Sequence, residues 1–130
     1  MGGRLVVTVP VGSAAAVRKA VVAWHRHHAA MRLPERAAIW VEKMAMPVPL
    51  VLIRDQRRRW GRCDPKANLR FNWRITQAPM RLVDYVVAPE LVHLDHRHQT
   101  AAFWASLGMV MPDYEARREA LRGMGARLEL

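Results

Sequence analysis

The stretch Pro89-Glu90-Leu91-Val92-His93 decides the fold. Glu90 and His93 stand three residues apart, a spacing that sets a carboxylate and an imidazole on one face of a helix. Upstream, Met80, Val83, Tyr85, Val86 and Val87 carry the pattern of a helix buried over much of its circumference. Pro89 interrupts that pattern. It has no N–H for the Tyr85 carbonyl, and its ring crowds that oxygen, at a cost of about 3 kcal/mol inside a helix. Ala88, preceding a proline, is biased away from helical geometry as well. These residues predict one helix ending near Ala88 and a second starting with Pro89 at its first position, where no N–H is required.

A histidine at position 89 would complete the pattern H-E-x-x-H. In that pattern two imidazoles four residues apart lie one above the other and grip Zn²⁺, while the Glu polarises the metal-bound water as general base. Here Glu90 and His93 fill the second and fifth positions, and Pro89 offers no donor at the first. Further on, His96 is three residues past His93 and close to the same face, but a histidine just beyond a helix end is expected to be exposed rather than ligating.

N-terminal to this region the period changes from helix to strand. Leu69, Phe71 and Trp73 alternate with Arg70, Asn72 and Arg74, and Asp64-Pro65-Lys66-Ala67-Asn68 reads as a turn after Trp60-Gly61-Arg62-Cys63, so a hairpin is expected. Leu50-Val51-Leu52-Ile53 is an apolar run suited to a buried strand, and Arg4 to Val9 suits another, closed by Pro10 and Gly12. Between them a helix is predicted from the Ser13 cap, with an apolar stripe of Val17, Val21, Trp24, His28 and Met31. Pro34 restarts or kinks it, the segment from Glu35 to Ala45 continues it, and Pro47 and Pro49 stop it. His25, His27 and His28 are near neighbours on that helix and make poor co-ligands, so they read as surface and boundary residues.

The 130 residues suit one domain, 1–130, able to bury roughly two-thirds of the surface its unfolded chain exposes. Cys63 is the single cysteine, so no disulfide forms within the chain and a reducing compartment is the default. No run approaches the roughly 18 apolar residues of a membrane span, and no signal-peptide pattern is present. A cytoplasmic protein without a membrane partner is the expectation. The net charge of +10 is concentrated: eight bases against two acids lie between Arg54 and Arg74. With Trp60, Phe71 and Trp73 interleaved, this stretch suits a nucleic acid or another polyanion. Alternation alone favours the plainer alternative, a solvated arginine face with the aromatics in the core.

Across nearly its whole length the chain resembles the YgjP-like metallopeptidase family, relatives of the SprT-like zincins. The resemblance is carried by Trp24 with Arg26 and Ala30, Leu33-Pro34, Arg59-Trp60-Gly61 with Cys63, Asn68-Leu69-Arg70, and Asn72-Trp73-Arg74. It continues through Ala78-Pro79, Asp84-Tyr85-Val86-Val87, Glu90-Leu91, His93-Leu94, Phe103-Trp104 and Met111-Pro112-Asp113-Tyr114. It implies a small α+β zincin-like domain, a sheet with a hairpin packed on helices, and an active-site helix pair in the C-terminal half. It also implies zinc as cofactor, Glu90 as the catalytic carboxylate, His93 as a ligand, and a peptide or protein as substrate. Pro89 falls on the first ligand position and Gln99 on the third, which are thereby lost. His98, one residue early, takes the place of Gln99 only if the turn is irregular, since one residue along a continuous helix rotates the ring by about 100°. Arg62 stands where the family carries a small serine.

Three functions follow as expectations. The first is a zinc-dependent metallopeptidase-type hydrolase impaired by Pro89 and Gln99. The second is a non-catalytic zincin-fold binding module that uses Arg57, Arg58, Arg59 and Arg62 toward a nucleic acid or an acidic partner. The third is a metal-dependent hydrolase of a phosphate-containing small molecule, which lacks the glycine-rich loop that cradles phosphates.

Overall fold

The computed structural model describes residues 13–55 and 59–125. The strand expected from Arg4 to Val9 and the side chains of Arg57 and Arg58 lie outside the described residues. Four helices pack around a three-stranded mixed sheet, the α+β architecture expected. Helix α1 (Ala14–Met44) leads to β1 (Val51–Arg54), β2 (Gly61–Cys63) and β3 (Leu69–Asn72), then a 3₁₀ helix (Trp73–Gln77). Helices α2 (Met80–Val92), α3 (Ala101–Val110) and α4 (Tyr114–Met124) complete the order.

Ser13 caps α1 as expected, its Oγ accepting from the Ala16 N–H at 3.2 Å. The helix then passes through Pro34 without a break. The carbonyl that Pro34 leaves without a helical donor belongs to Ala30, which is exposed and can bond water instead. The buried stripe also differs from the one predicted. Ala29, Leu33, Ala37, Trp40 and Val41 face the core, whereas Val17 and Met31 are exposed. The cause is tertiary: the C-terminal half of α1 meets the 3₁₀ helix and α2, so the face of that half decides burial. Arg36 fixes the contact, donating from Nε and Nη2 to the two carboxylate oxygens of the buried Asp84 on α2 at 2.8 and 2.7 Å. Among the N-terminal histidines, His28 stacks on Trp24 and His25 lies over Trp73.

The hairpin forms as predicted. β2 and β3 pair antiparallel with Gly61 opposite Phe71, Arg62 opposite Arg70, and Cys63 opposite Leu69. Asp64 closes the turn by accepting from the Lys66 and Asn68 backbone N–H groups at 2.9 and 3.0 Å, with Ala67 in the left-handed region at φ 63°. β1 lies parallel to β3 on its other side. It is half-buried rather than buried, with Leu50 exposed, because an edge strand has one neighbour and covers one face only.

The expected break before Pro89 does not occur. α2 runs continuously from Met80 to Val92 with Pro89 inside, and His93 still has φ −62° and ψ −21°. The His93 N–H bonds the Pro89 carbonyl at 3.0 Å, so the ladder resumes at once. Val86, Val87, Ala88, Leu91 and Val92 are all buried around the proline. Burial of each larger side chain is worth about 1.5–3 kcal/mol, which together outweighs the proline's cost.

α2 comes close to β2 because residue 61 has no side chain. A Cβ there would sit 2.9 Å from Cδ1 of Phe71 and 3.0 Å from Cγ1 of Val86. Gly61→Ala is expected to cost about 1–3 kcal/mol by overpacking, read as a lower urea midpoint at unchanged slope. An unchanged midpoint would show that Phe71 and Val86 yield freely.

Candidate functional site

The close approach of α2 to β2 opens a cleft of about 580 Å³ between the strand and the segment following the helix. Glu90, His93 and Gln99 all line it, together with Gly61, Arg62 and Cys63 of β2. The structure therefore brings Glu90, His93 and Gln99 into one cavity. His98 is exposed and is not among the lining residues.

β2 turns one backbone edge toward the cleft. Across the hairpin the Asp64 N–H donates to the Asn68 carbonyl and the Trp60 carbonyl accepts from the Asn72 N–H, so alternation directs the Gly61 and Cys63 backbone groups the other way. The Cys63 N–H meets the Glu90 carboxylate there. Burial pushes the Glu90 carboxyl up from its ordinary 4.5 to about 7, a rise moderated by that N–H and by the charge of Arg59. The Cys63 thiol is likewise raised, first by burial and then by the Glu90 and Asp64 carboxylates. Asp64 is held below its ordinary value, chiefly by the Asn68 N–H, and also binds Arg70 at 3.2 Å.

His93 has a defined tautomer. Its Nδ1 lies 3.0 Å from the His96 carbonyl, which can only accept, so Nδ1 carries a proton and in the neutral ring the lone pair is on Nε2. The ring packs on Phe103 at 4.5 Å. His96 in turn places Nε2 3.1 Å from Ser106 Oγ and lines a separate cavity of about 250 Å³ with Met44, Met46 and Met109. It is thus half-buried and does not line the Glu90 cleft.

The basic stretch divides on folding. Phe71 and Trp73 are fully buried and Trp60 packs against the core. Arg70 pairs with Asp64, and Arg74 is buried over the Trp73 ring with a bond to Asp55. Arg59 and Arg62 remain exposed at the cleft. Sequence reasoning missed two contributors, the Cys63 N–H and Arg97. The first is legible only from strand register, and the second depends on how the chain turns after α2.

A helix carrying a Glu and a His against the edge of a small sheet, in an α+β domain, defines a zincin-like protein. The family model described as YgjP-like, metallopeptidase domain matches residues 2–124, and the chain belongs to that family. No curated protein and no solved structure matches it. No helix among the described residues is long and apolar enough to cross a membrane.

The donor set does not fit the zinc ion that such a domain implies. A zinc site that also holds water uses three nitrogen, sulfur or carboxylate ligands. His93 supplies one imidazole nitrogen, Pro89 supplies nothing, and Gln99 supplies a neutral amide oxygen, a poor zinc donor. No group of three His, Cys, Asp or Glu side chains able to hold a metal occurs among the described residues.

Proposed function

We propose that this chain is a metallopeptidase-type hydrolase by descent whose zinc-dependent hydrolysis is impaired or lost, leaving a cleft that binds peptide. The observation that carries this reading is the composition of the cleft: Glu90 and His93 share it with Gln99, and Pro89 occupies the helical position four residues before His93. Glu90 is positioned by the Cys63 N–H and, near neutral pH, exists in comparable amounts as acid and carboxylate. It can hold or accept a proton at the cleft floor, but His93 alone cannot retain the metal that would give that proton transfer a nucleophile. A cytoplasmic location accords with the single cysteine, Cys63.

Purified protein dialysed against metal-free buffer is expected to contain far less than one zinc per chain by elemental analysis, and a fluorogenic peptide library should show no turnover that depends on Glu90. One retained zinc per chain, with hydrolysis abolished by Glu90→Gln, would overturn the reading.

A further inference from the structure

Three guanidinium side chains converge on the cleft that holds Glu90. Arg59 precedes β2, Arg62 is at its centre, and Arg97 lies in the segment after α2. All three are exposed, and none forms an ion pair among the described residues. This sets them apart from Arg36, Arg70, Arg74 and Arg117, each bonded to a carboxylate. The two carboxyl groups at the cleft offset them only in part, the Arg59 charge acting on Glu90 without an ion-pair contact. Asp64 spends one oxygen on the Lys66 and Asn68 N–H groups and the other on Arg70. Glu90 is turned to the Cys63 N–H. The cleft therefore presents an excess of positive charge in a concave setting, where guanidinium forks can bind carboxylates in pairs of hydrogen bonds.

We propose that the cleft is a receptor for a short acidic peptide segment, with Arg59, Arg62 and Arg97 determining its preference for Asp and Glu side chains. The proposal rests on the reading above that the cleft binds peptide without holding zinc. Two observations favour a peptide over a nucleic acid. Among the described residues no Phe, Tyr or Trp lines the cleft, and Phe71 and Trp73 of the basic stretch are fully buried, so the broad platform on which bases stack is missing there. The outward backbone groups of Gly61 lie on the strand edge, where an extended chain can add its own backbone hydrogen bonds.

The test is fluorescence anisotropy of the full chain in EDTA at low salt, using a labelled hexapeptide of alternating glutamate and alanine. The control is the same peptide with glutamine in place of glutamate, and unlabelled oligothymidylate serves as competitor. The acidic peptide is expected to bind at least about tenfold more tightly than the control, a difference of about 1.4 kcal/mol, and to weaken steeply with salt. Arg62→Ser combined with Arg97→Gln should bring it to the control level. Both residues are exposed, so the variant should melt as the parent does. Equal binding of the two peptides, a preference that survives the double substitution, or displacement by oligothymidylate at lower concentration than by unlabelled acidic peptide would each overturn the proposal. Zinc content measured on the protein before EDTA is added separates the two readings: retained zinc would refute the loss of the metal site, while the titration in EDTA still decides the acidic preference.

Discussion

Replacing Pro89 and Gln99 together by histidine is expected to convert a chain that gives up zinc on dialysis into one that keeps one equivalent. The geometry for this is already present. α2 continues through position 89 and His93 retains helical dihedrals, so side chains at 89 and 93 sit four residues apart on one face. His93 already presents Nε2 as a lone pair, because its Nδ1 proton is committed to the His96 carbonyl. Position 99 lines the same cleft. With zinc at about a thousandfold above its dissociation constant, binding should stabilise the double variant by about 4 kcal/mol, seen as a zinc-dependent rise in melting temperature absent from the parent. Pro89→Ala supplies the control. It restores the backbone N–H beneath the Tyr85 carbonyl, and since proline costs about 3 kcal/mol in a helix interior, it should stabilise the chain with or without zinc. A double variant that melts like Pro89→Ala and holds no zinc would mean that the segment from Asp95 to Gln99 keeps the third position out of reach.

How much of this was legible in the residues depends on whether the signal was local. The hairpin was readable because the alternation of Leu69, Phe71 and Trp73 and the turn at Asp64 are both short-range. The continuity of α2 was not. Local rules at Ala88 and Pro89 both favour a break, and the decision went to Leu91, Val92 and Ala88, whose burial depends on partners distant in sequence. The α1 stripe failed for the same reason, since Val17 and Met31 have helical spacing but no neighbouring element to cover them. In the cleft, the Glu90–His93 spacing was visible in the sequence. The His93 tautomer, the Cys63 N–H and the approach of Arg97 all depend on where the chain goes after Val92. The basic stretch shows the limit of counting charges: burial and pairing withdrew Arg70 and Arg74 and left Arg59 and Arg62 at the cleft.

Glu90→Gln is expected to leave stability nearly unchanged at pH 5 and to raise it at pH 8, the second large effect. Burial lifts the folded-state carboxyl to about 7 from an ordinary value of 4.5. Folding therefore disfavours the ionised form. The stability associated with the protonated group is present in full below about 4.5 and is lost as pH rises through about 7. At 1.36 kcal/mol per tenfold displacement, the loss is at most about 3 kcal/mol, and solvent reaching the cleft side of the group reduces it. Glutamine fills nearly the same volume, keeps an oxygen for the Cys63 N–H and carries no charge to bury, so it escapes the loss. Urea unfolding of parent and variant at both pH values measures it, and the difference between the two proteins cancels the titration of His25 and His28. An equal effect of the substitution at pH 5 and pH 8 would refute the buried-acid assignment. The same measurement connects to the metal. A cation near Glu90 favours the carboxylate, so in the zinc-loaded variant carrying histidine at positions 89 and 99, the alkaline advantage of Glu90→Gln should shrink or reverse. Among the described residues the charge of Arg59 favours the ionised form of Glu90, and it only moderates the rise that burial imposes.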